Sequence, residues 1–305
     1  MNRAALLLSL GIALGGCATA PSSPSLQLAI TIDDLPVHGP IPAGDSPQRV
    51  ADELIAALRS GGAVQATGFV NGRWTAEDRA TWGVLTAWRR AGLPLGNHGW
   101  AHRNLDDLTP ADFEEELARN EPLLRELGGK SDWRWFRYPF LSEGKDPATR
   151  AAARAVLARK GYRIAAVTMD FSDWQWTGPY ARCLASADKP GIERLERLYM
   201  EAAAKGIARS RQLSQAVYGR DIPYVVLLHS GAFTARMMSR LLALYRSQGF
   251  RFVGLDEAER DPAYATAAAP ARPGPPATLE GQAAARDVPV PAAPVDGEAI
   301  AAVCA

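Results

Sequence analysis

Two acidic residues and two histidines in this sequence have the types and the spacing of a metal site. Asp33 and Asp34 directly follow the apolar run 28–32, and His98 and His102 stand four residues apart after a second short apolar run. One carboxylate and two imidazoles give a divalent metal three ligands and leave one position open, as in catalytic zinc sites. The second carboxylate remains free to act as a base. The pattern therefore indicates metal-dependent hydrolytic chemistry.

The other two of the four histidines also lie at or near the ends of apolar runs. His38 comes four residues after Asp34, and His229 ends the apolar run 224–228. A lone histidine is usually a hydrogen-bonded structural residue, but four at such positions favour a shared site. His38 is expected either to border this site or to be an ordinary loop residue.

The elements that must position these residues alternate between strand-like and helix-like patterns from about residue 26 to 260. Predicted strands are Leu26–Ile32, Val64–Val70, Leu93–Asn97, Arg134–Tyr138, Tyr162–Thr168, Tyr224–His229 and Arg251–Gly254. Predicted helices are Pro47–Ser60, Ala76–Ala91, Pro110–Leu127, Pro147–Lys160, Ile192–Arg211 and Thr234–Ser247. Such alternation predicts an α/β fold with a parallel sheet and right-handed crossovers. Seven strands fit either a barrel or an open doubly wound sheet, and both place active sites at the carboxyl ends of strands.

The N-terminal segment has the features of an export signal. Residues 1–17 carry one positive charge, an apolar stretch too short to span a bilayer, and two glycines before Cys17. This resembles a bacterial lipobox, which implies a lipid on Cys17; the alternative is an ordinary signal peptide cut nearby. Either predicts export, and Ala18 after the cysteine implies a periplasmic protein anchored at the outer membrane. Residues 18–25 are expected to be a flexible tether.

The remaining composition sets further limits. The net charge of +1 gives no reason to expect a nucleic-acid partner, and nothing indicates an oligomeric state. Residues 261–305 contain eight of the 22 prolines and many alanines, which predicts a disordered tail. Cys183 and Cys304 either pair in an oxidising compartment or stay free.

Five short motifs occur in order along the chain. They are Thr31–Pro36 (Thr-Ile-Asp-Asp-Leu-Pro), His98–Leu105 with its two histidines, Phe136–Phe140 (Phe-Arg-Tyr-Pro-Phe), Asp170–Trp174 (Asp-x-x-Asp-Trp) and Leu227–His229 (Leu-x-His). Together they resemble the motifs of the polysaccharide deacetylase family, the NodB homology domain or carbohydrate esterase family four. Each motif is weak alone, but five in order are specific. The resemblance implies an irregular (β/α) barrel with about seven strands over residues 26–260.

The resemblance also implies a role for each matched residue. Asp34, His98 and His102 would bind the metal, usually zinc, and Asp33 would be the general base that activates water. His229 would be the general acid. The implied supporting residues are Arg137 beside Asp33, Asp173 beside His229, the backbone N–H of Phe140 at the oxyanion, and Tyr138 and Trp174 at the substrate.

The implied reaction is removal of N-acetyl groups from an amino-sugar glycan such as peptidoglycan or a chitin-like oligomer. Two departures from the family pattern leave the substrate open: Leu35 replaces the usual glycine, and Gly99 replaces the usual serine or threonine. One alternative is O-acetyl ester hydrolysis on a xylan-like glycan, or hydrolysis of a small amide. Another is a non-catalytic glycan-binding lipoprotein on the same fold.

Overall fold

The computed structural model describes residues 26–129 and 131–305. The predicted signal segment 1–17, its Cys17 and the tether 18–25 lie outside the described residues. Within the described part of the chain, no helix is both long enough and apolar enough to cross a membrane.

All seven predicted strands form one parallel sheet, although several are shorter than expected. The strands in the described chain are β1 (Leu26–His38), β2 (Thr67–Val70), β3 (Leu95–Asn97), β4 (Trp135–Phe136), β5 (Arg163–Ile164), β6 (Tyr224–Gly231) and β7 (Phe250–Val253). Their order is β5-β4-β3-β2-β1-β6, and β7 pairs with the start of β1. The central strand β1 is buried over most of its length because it is covered on both faces.

The sheet curls until its two edges meet. The chain continues beyond β5, and Met169 forms a parallel bridge with Val226 of β6. The N–H of Leu227 donates to the carbonyl of Met169, and the N–H of Thr168 donates to the carbonyl of Val225, each at 3.0 Å. Because these bonds join the last segment of one edge to the other edge, the architecture is an irregular barrel. The predicted fold is confirmed, and the open-sheet alternative is wrong.

Helices surround the sheet and join successive strands. In the described residues they are α1 (Pro47–Ser60), α2 (Gly72–Glu77), α3 (Trp82–Arg90), α4 (Pro110–Gly128), α5 (Pro147–Arg159), α6 (Thr177–Ala185), α7 (Lys189–Tyr218), α8 (Ala232–Ser247), α9 (Leu255–Ala258), α10 (Leu279–Ala284) and α11 (Gly297–Ala301). Helix α4 begins where the sequence predicts, since Thr109 and Asp112 form a capping box before and within its first turn. The single helix expected over 76–91 is instead divided, because the extended backbone of Asp78 interrupts it.

The segment 261–305 packs against the barrel and differs from the expected disordered tail. The segment is rich in proline and alanine, but it also contains larger apolar residues at intervals. Four of them are buried against the rest of the protein: Tyr264, Leu279, Ile300 and Val303. The buried guanidinium of Arg154 donates hydrogen bonds to five backbone carbonyls between residues 266 and 275. These contacts offset the entropy of ordering a segment that its composition alone would leave unfolded.

The end of this segment is joined covalently to the insertion between β5 and β6. Cys183 of α6 and Cys304 form a disulfide bond, so the paired alternative holds in this structure. The long helix α7 lies in the same insertion and packs against α6, α8 and α10.

Candidate active site

The chemically active side chains converge at the carboxyl ends of the strands. Asp33 and Asp34 lie on β1, the histidine loop follows β3, Arg137 follows β4, and His229 is near the end of β6. Asp173 begins a short 3-10 turn, Asp173–Trp176, in the insertion after β5. These residues border or support a cleft of about 330 Å³.

Asp34, His98 and His102 form a cluster that fits a divalent metal. Asp34 Oδ1 lies 3.4 Å from His98 Nε2 and 3.3 Å from His102 Nε2. This carboxylate oxygen is buried and has no hydrogen-bond partner, which is costly unless a cation occupies the space between the three side chains. The donor set is oxygen and imidazole nitrogen, which suits zinc and other first-row divalent ions.

The two histidines of this cluster are held with a nitrogen lone pair available. His98 Nδ1 lies 2.8 Å from the carbonyl of Arg137, which accepts its hydrogen and leaves Nε2 facing Asp34. Burial, and then the neighbouring His98, lower the pKa of His102 to about 4, so its imidazole is neutral at ordinary pH. Burial raises the pKa of Asp34, but the hydrogen bond from His38 and the neighbouring His98 imidazole outweigh this and hold it well below its usual range.

A buried asparagine network fixes the histidine loop and was not recognised from the sequence. Asn71 Nδ2 donates to the carbonyls of His98 and Gly99, at 2.7 and 3.1 Å. Asn97 Oδ1 accepts from the N–H of Gly99 and from Asn120 Nδ2, each at 2.9 Å. Three asparagines at or near strand ends and on a helix are too common a pattern to signal this network in advance.

Asp33 is paired with Arg137 next to this cluster, and its Oδ2 lies 3.6 Å from His98 Nε2. Arg137 Nη1 lies 3.3 Å from both oxygens of the Asp33 carboxylate, and both side chains are almost fully buried. The other guanidinium nitrogens donate to the carbonyls of Ala165 and Ala166 and to Thr31 Oγ1. The arginine is therefore fixed on every side, and it orients the Asp33 carboxylate toward the cleft.

His229 lies across the cleft and is paired with Asp173. His229 Nδ1 is 2.8 Å from Asp173 Oδ1, while Asp173 Oδ2 accepts from the backbone N–H of His229 and from Thr234 Oγ1. Burial lowers the pKa of His229, but the charge and hydrogen bond of Asp173 overcome this and raise it to about 9. The imidazolium form is favoured, and its Nε2 is free to donate a proton.

Aromatic side chains form the rim of the cleft. Phe140 is 65% exposed and Trp174 is 50% exposed, although both are large and apolar. Phe140 packs edge-on against His102, with ring centroids 4.5 Å apart. Tyr138 also lines the cleft, but it is buried and its hydroxyl has no hydrogen-bond partner. Such exposed rings suit stacking against a sugar.

Strained backbone is concentrated at this cleft. Four lining residues that are not glycine have a positive φ: Asp34 (63°), His102 (51°), Phe140 (58°) and Leu141 (53°). Such conformations cost about 1–3 kcal/mol each and persist where the surrounding structure enforces them, typically at functional sites.

The structure brings all ten residues singled out from the sequence to one site and adds others to its wall. Asp170, Leu141, Leu227 and His38 also line the cleft. Burial raises the pKa of Asp170 to about 6. The scarcity of histidine was the signal for His38, which borders the cleft, and Leu227 belongs to the Leu-x-His motif, whereas Leu141 carried no distinguishing signal.

Both departures from the family pattern are accommodated locally. Leu35 turns into the core, where its side chain occupies the space that a Cβ at Gly68 would need. Gly99 has a φ of +75°, a conformation that glycine adopts freely. Neither residue displaces the cluster of Asp34, His98 and His102.

Comparison with known proteins finds matches to this family over part of the chain. Residues 22–165 match the family model described as polysaccharide deacetylase. A chitin deacetylase from Pestalotiopsis sp is 29% identical over 168 residues, which cover 53% of this chain and 54% of that protein. The match thus spans about half the length of this relative.

Solved structures of similar fold include active and inactive proteins. The chitin deacetylase of Colletotrichum lindemuthianum has a TM-score of 0.53 and 23% identity, covering 77% of this chain and 88% of that one. A carbohydrate esterase family four pseudoenzyme from Bacillus anthracis has a TM-score of 0.53 and 16% identity, covering 77% and 66%. At these identities the likeness shows the fold, and the fold occurs with and without catalysis.

Proposed function

We propose that this protein is a zinc-dependent hydrolase that removes N-acetyl groups from an amino-sugar glycan, a proposal supported by the match of residues 22–165 to the polysaccharide deacetylase family model. The glycan is peptidoglycan or a chitin-like oligomer. One observation carries the proposal: the unpartnered oxygen of Asp34 faces two imidazole nitrogens, and a separately held carboxylate and imidazole flank it.

Asp34, His98 and His102 would hold the metal. When bound, a divalent metal lowers the pKa of water and polarises an acyl oxygen. The carboxylate of Asp33 would accept the proton of the attacking water, and Arg137 keeps this carboxylate in place. General acid–base assistance of this kind is worth about 10²–10⁴ in rate.

His229 would then donate a proton from Nε2 to the leaving amine. Asp173 fixes Nδ1 as the other donor and favours the charged imidazolium. The backbone N–H of Phe140 would support the oxyanion, and Tyr138 and Trp174 would contact the substrate. The exposure of Trp174 and Phe140 supports an open site that admits a polymer.

We also propose a cellular location for the protein. A lipid on Cys17 would anchor the protein at the outer membrane, facing the periplasm, where the glycan is within reach. The disulfide between Cys183 and Cys304 supports an oxidising compartment. O-acetyl ester hydrolysis on a xylan-like glycan and small-amide hydrolysis are the alternatives with the same chemistry.

The test is acetate release by the chain from residue 26 onward. Zinc-loaded protein is offered N-acetylated chito-oligomers, peptidoglycan fragments and acetylated xylan, each with and without a chelator. Chelator-sensitive release from the first or second substrate supports the proposal, and release from xylan alone favours the esterase. Glycan binding without turnover, with zinc bound, favours the non-catalytic alternative that the pseudoenzyme exemplifies.

The adjacent acids provide a matched pair of variants. Asp34→Asn is expected to lose zinc and activity together, whereas Asp33→Asn is expected to keep zinc and lose activity. The two substitutions are chemically identical and one residue apart, so equal effects on zinc binding would contradict the proposed division of roles.

A further inference from the structure

Strand β1 does not end at the acidic pair, but its pairing with β6 is interrupted there and resumes at His38. Its pairing with β6 runs continuously from Leu28 with Tyr224 to Asp33 with His229. The register then shifts, and His38 pairs with Gly231. Leu35 stays paired with Val70 of β2, whereas residues 34–37 have no partner on β6. Beyond this irregularity the His38 side chain lies beside Asp34.

The two carboxylate oxygens of Asp34 have different neighbours. His38 Nδ1 lies 2.7 Å from Oδ2, on the side away from the ligand histidines. Oδ1 faces His98 and His102 and has no hydrogen-bond partner. The backbone is fixed as well, because Ser230 Oγ donates to the carbonyl of Asp34 at 2.8 Å.

We infer that His38 is a positioning residue, which donates from Nδ1 to Asp34 Oδ2 and so presents only Oδ1 to the metal. The inference rests on the proposed function, since it assigns a partner to one of the three metal ligands. A carboxylate without such a donor turns more freely and loses part of its orientation before the metal binds. Hydrogen bonds to ligating side chains are typically worth 10–100-fold in metal affinity.

His38 also belongs to a second group of possible ligands, which gives a specific alternative. Asp34, His38 and His229 offer donor atoms within 4.8 Å of one another. The His38 and His229 rings are close, with centroids 4.7 Å apart. A histidine that ligates the metal itself needs its lone pair, whereas a positioning histidine needs only its N–H, and substitution separates the two.

The experiment compares His38→Asn with His38→Phe in the otherwise unchanged protein. The asparagine amide nitrogen occupies nearly the place of Nδ1 and keeps a donor without the ring, while phenylalanine keeps the ring without a donor. Zinc affinity is measured by competition with a chromophoric chelator. We expect His38→Phe to weaken zinc binding about 10–100-fold and His38→Asn to recover most of that loss.

The outcomes are distinct. Wild-type affinity in His38→Phe overturns the inference, and equal weakening in both variants overturns it in favour of ligation or ring packing. Thermal unfolding checks folding, and His38→Ala, expected to bind like His38→Phe, replaces it if the larger ring is not accommodated. Failure of the wild-type protein to bind zinc would refute the proposed function as well, whereas an unchanged zinc affinity in His38→Phe refutes the inference alone.

Discussion

Replacing Asp173 by asparagine tests whether this carboxylate sets the protonation of His229. The substitution keeps the shape of the side chain and removes its charge. Asp173 is fully buried, and His229 is 12% exposed, so solvent screens their interaction little. We expect the pKa of His229 to fall, because burial disfavours the imidazolium once the paired charge is gone.

The magnitude follows from the native value. The pKa of His229 is raised to about 9, and loss of the charge should return it at least to the ordinary value of about 6.5. The difference corresponds to about 3 kcal/mol. At pH 7.5 the protonated fraction would fall from about 97% to about 9%, whereas at pH 5.5 it would stay above about 90% in both proteins.

The activity assay therefore compares the two proteins at two pH values. The activity of the variant relative to wild type should be about tenfold lower at pH 7.5 than at pH 5.5. Because the chain has only four histidines, NMR titration of the ring nitrogens in the metal-free protein measures the pKa directly. Thr234→Val is the control, since it removes one hydrogen bond to Asp173 and leaves the charge.

The raised pKa of His229 also makes the free energy of unfolding depend on pH. A raised pKa stabilises the folded protein fully below the unfolded value of about 6.5, and the contribution disappears as the pH rises through about 9. Asp173→Asn should therefore cost more unfolding free energy at pH 6 than at pH 10. A loss of activity that is equal at pH 5.5 and 7.5, with an unchanged His229 pKa, would refute this reasoning and leave Asp173 an orienting role alone.

Four further variants have defined expectations. Trp174→Ala and Phe140→Ala should raise KM about three- to tenfold by removing exposed stacking surface, with an unchanged unfolding midpoint; unchanged KM in both would exclude a substrate role. Arg137→Met should lower the unfolding free energy by about 3 kcal/mol in urea titration, because it leaves a buried carboxylate unpaired; a cost below about 1 kcal/mol would show that this carboxylate finds another partner. Alanine at both Cys183 and Cys304 should cost about 3 kcal/mol without reductant; reductant should destabilise the wild type and not the variant.

The candidate metal ligands could be predicted from the sequence more directly than the residues that support them. Asp34, His98 and His102 were recognisable because ligand types at strand ends are rare and their spacing is restrictive. Arg137 and Asp173 were accessible only through ordered motifs. The division of roles between Asp33 and Asp34 depends on which neighbour each side chain faces. Strand alternation would place the two on opposite sides, but both line the cleft, and Asp34 has a left-handed backbone.

Other features depend on long-range contacts that no local pattern encodes. The resumed pairing of β1 at His38 is with a strand about 190 residues away, so the strand was expected to end at Ile32. The order of the segment 261–305 depends on Arg154, which lies on α5 more than 110 residues earlier. The overall composition of residues 261–305 does not show such individual contacts, and it therefore predicted disorder.

The packing of residues 261–305 governs the order in which the molecule can be completed. The carbonyl of Ala268 accepts from the N–H of Ile164, and Thr278 bridges to Val167, so this segment covers the seam where the barrel closes. These residues follow all seven strands in the chain. Cys304 comes later still, so its disulfide with Cys183 can form only when nearly the whole chain has been made. During synthesis the seam between the closing strands therefore stays uncovered until residues 261–305 have been made. A shortened chain that stops near residue 260 would keep every residue of the proposed catalytic centre and still leave this seam exposed to other chains.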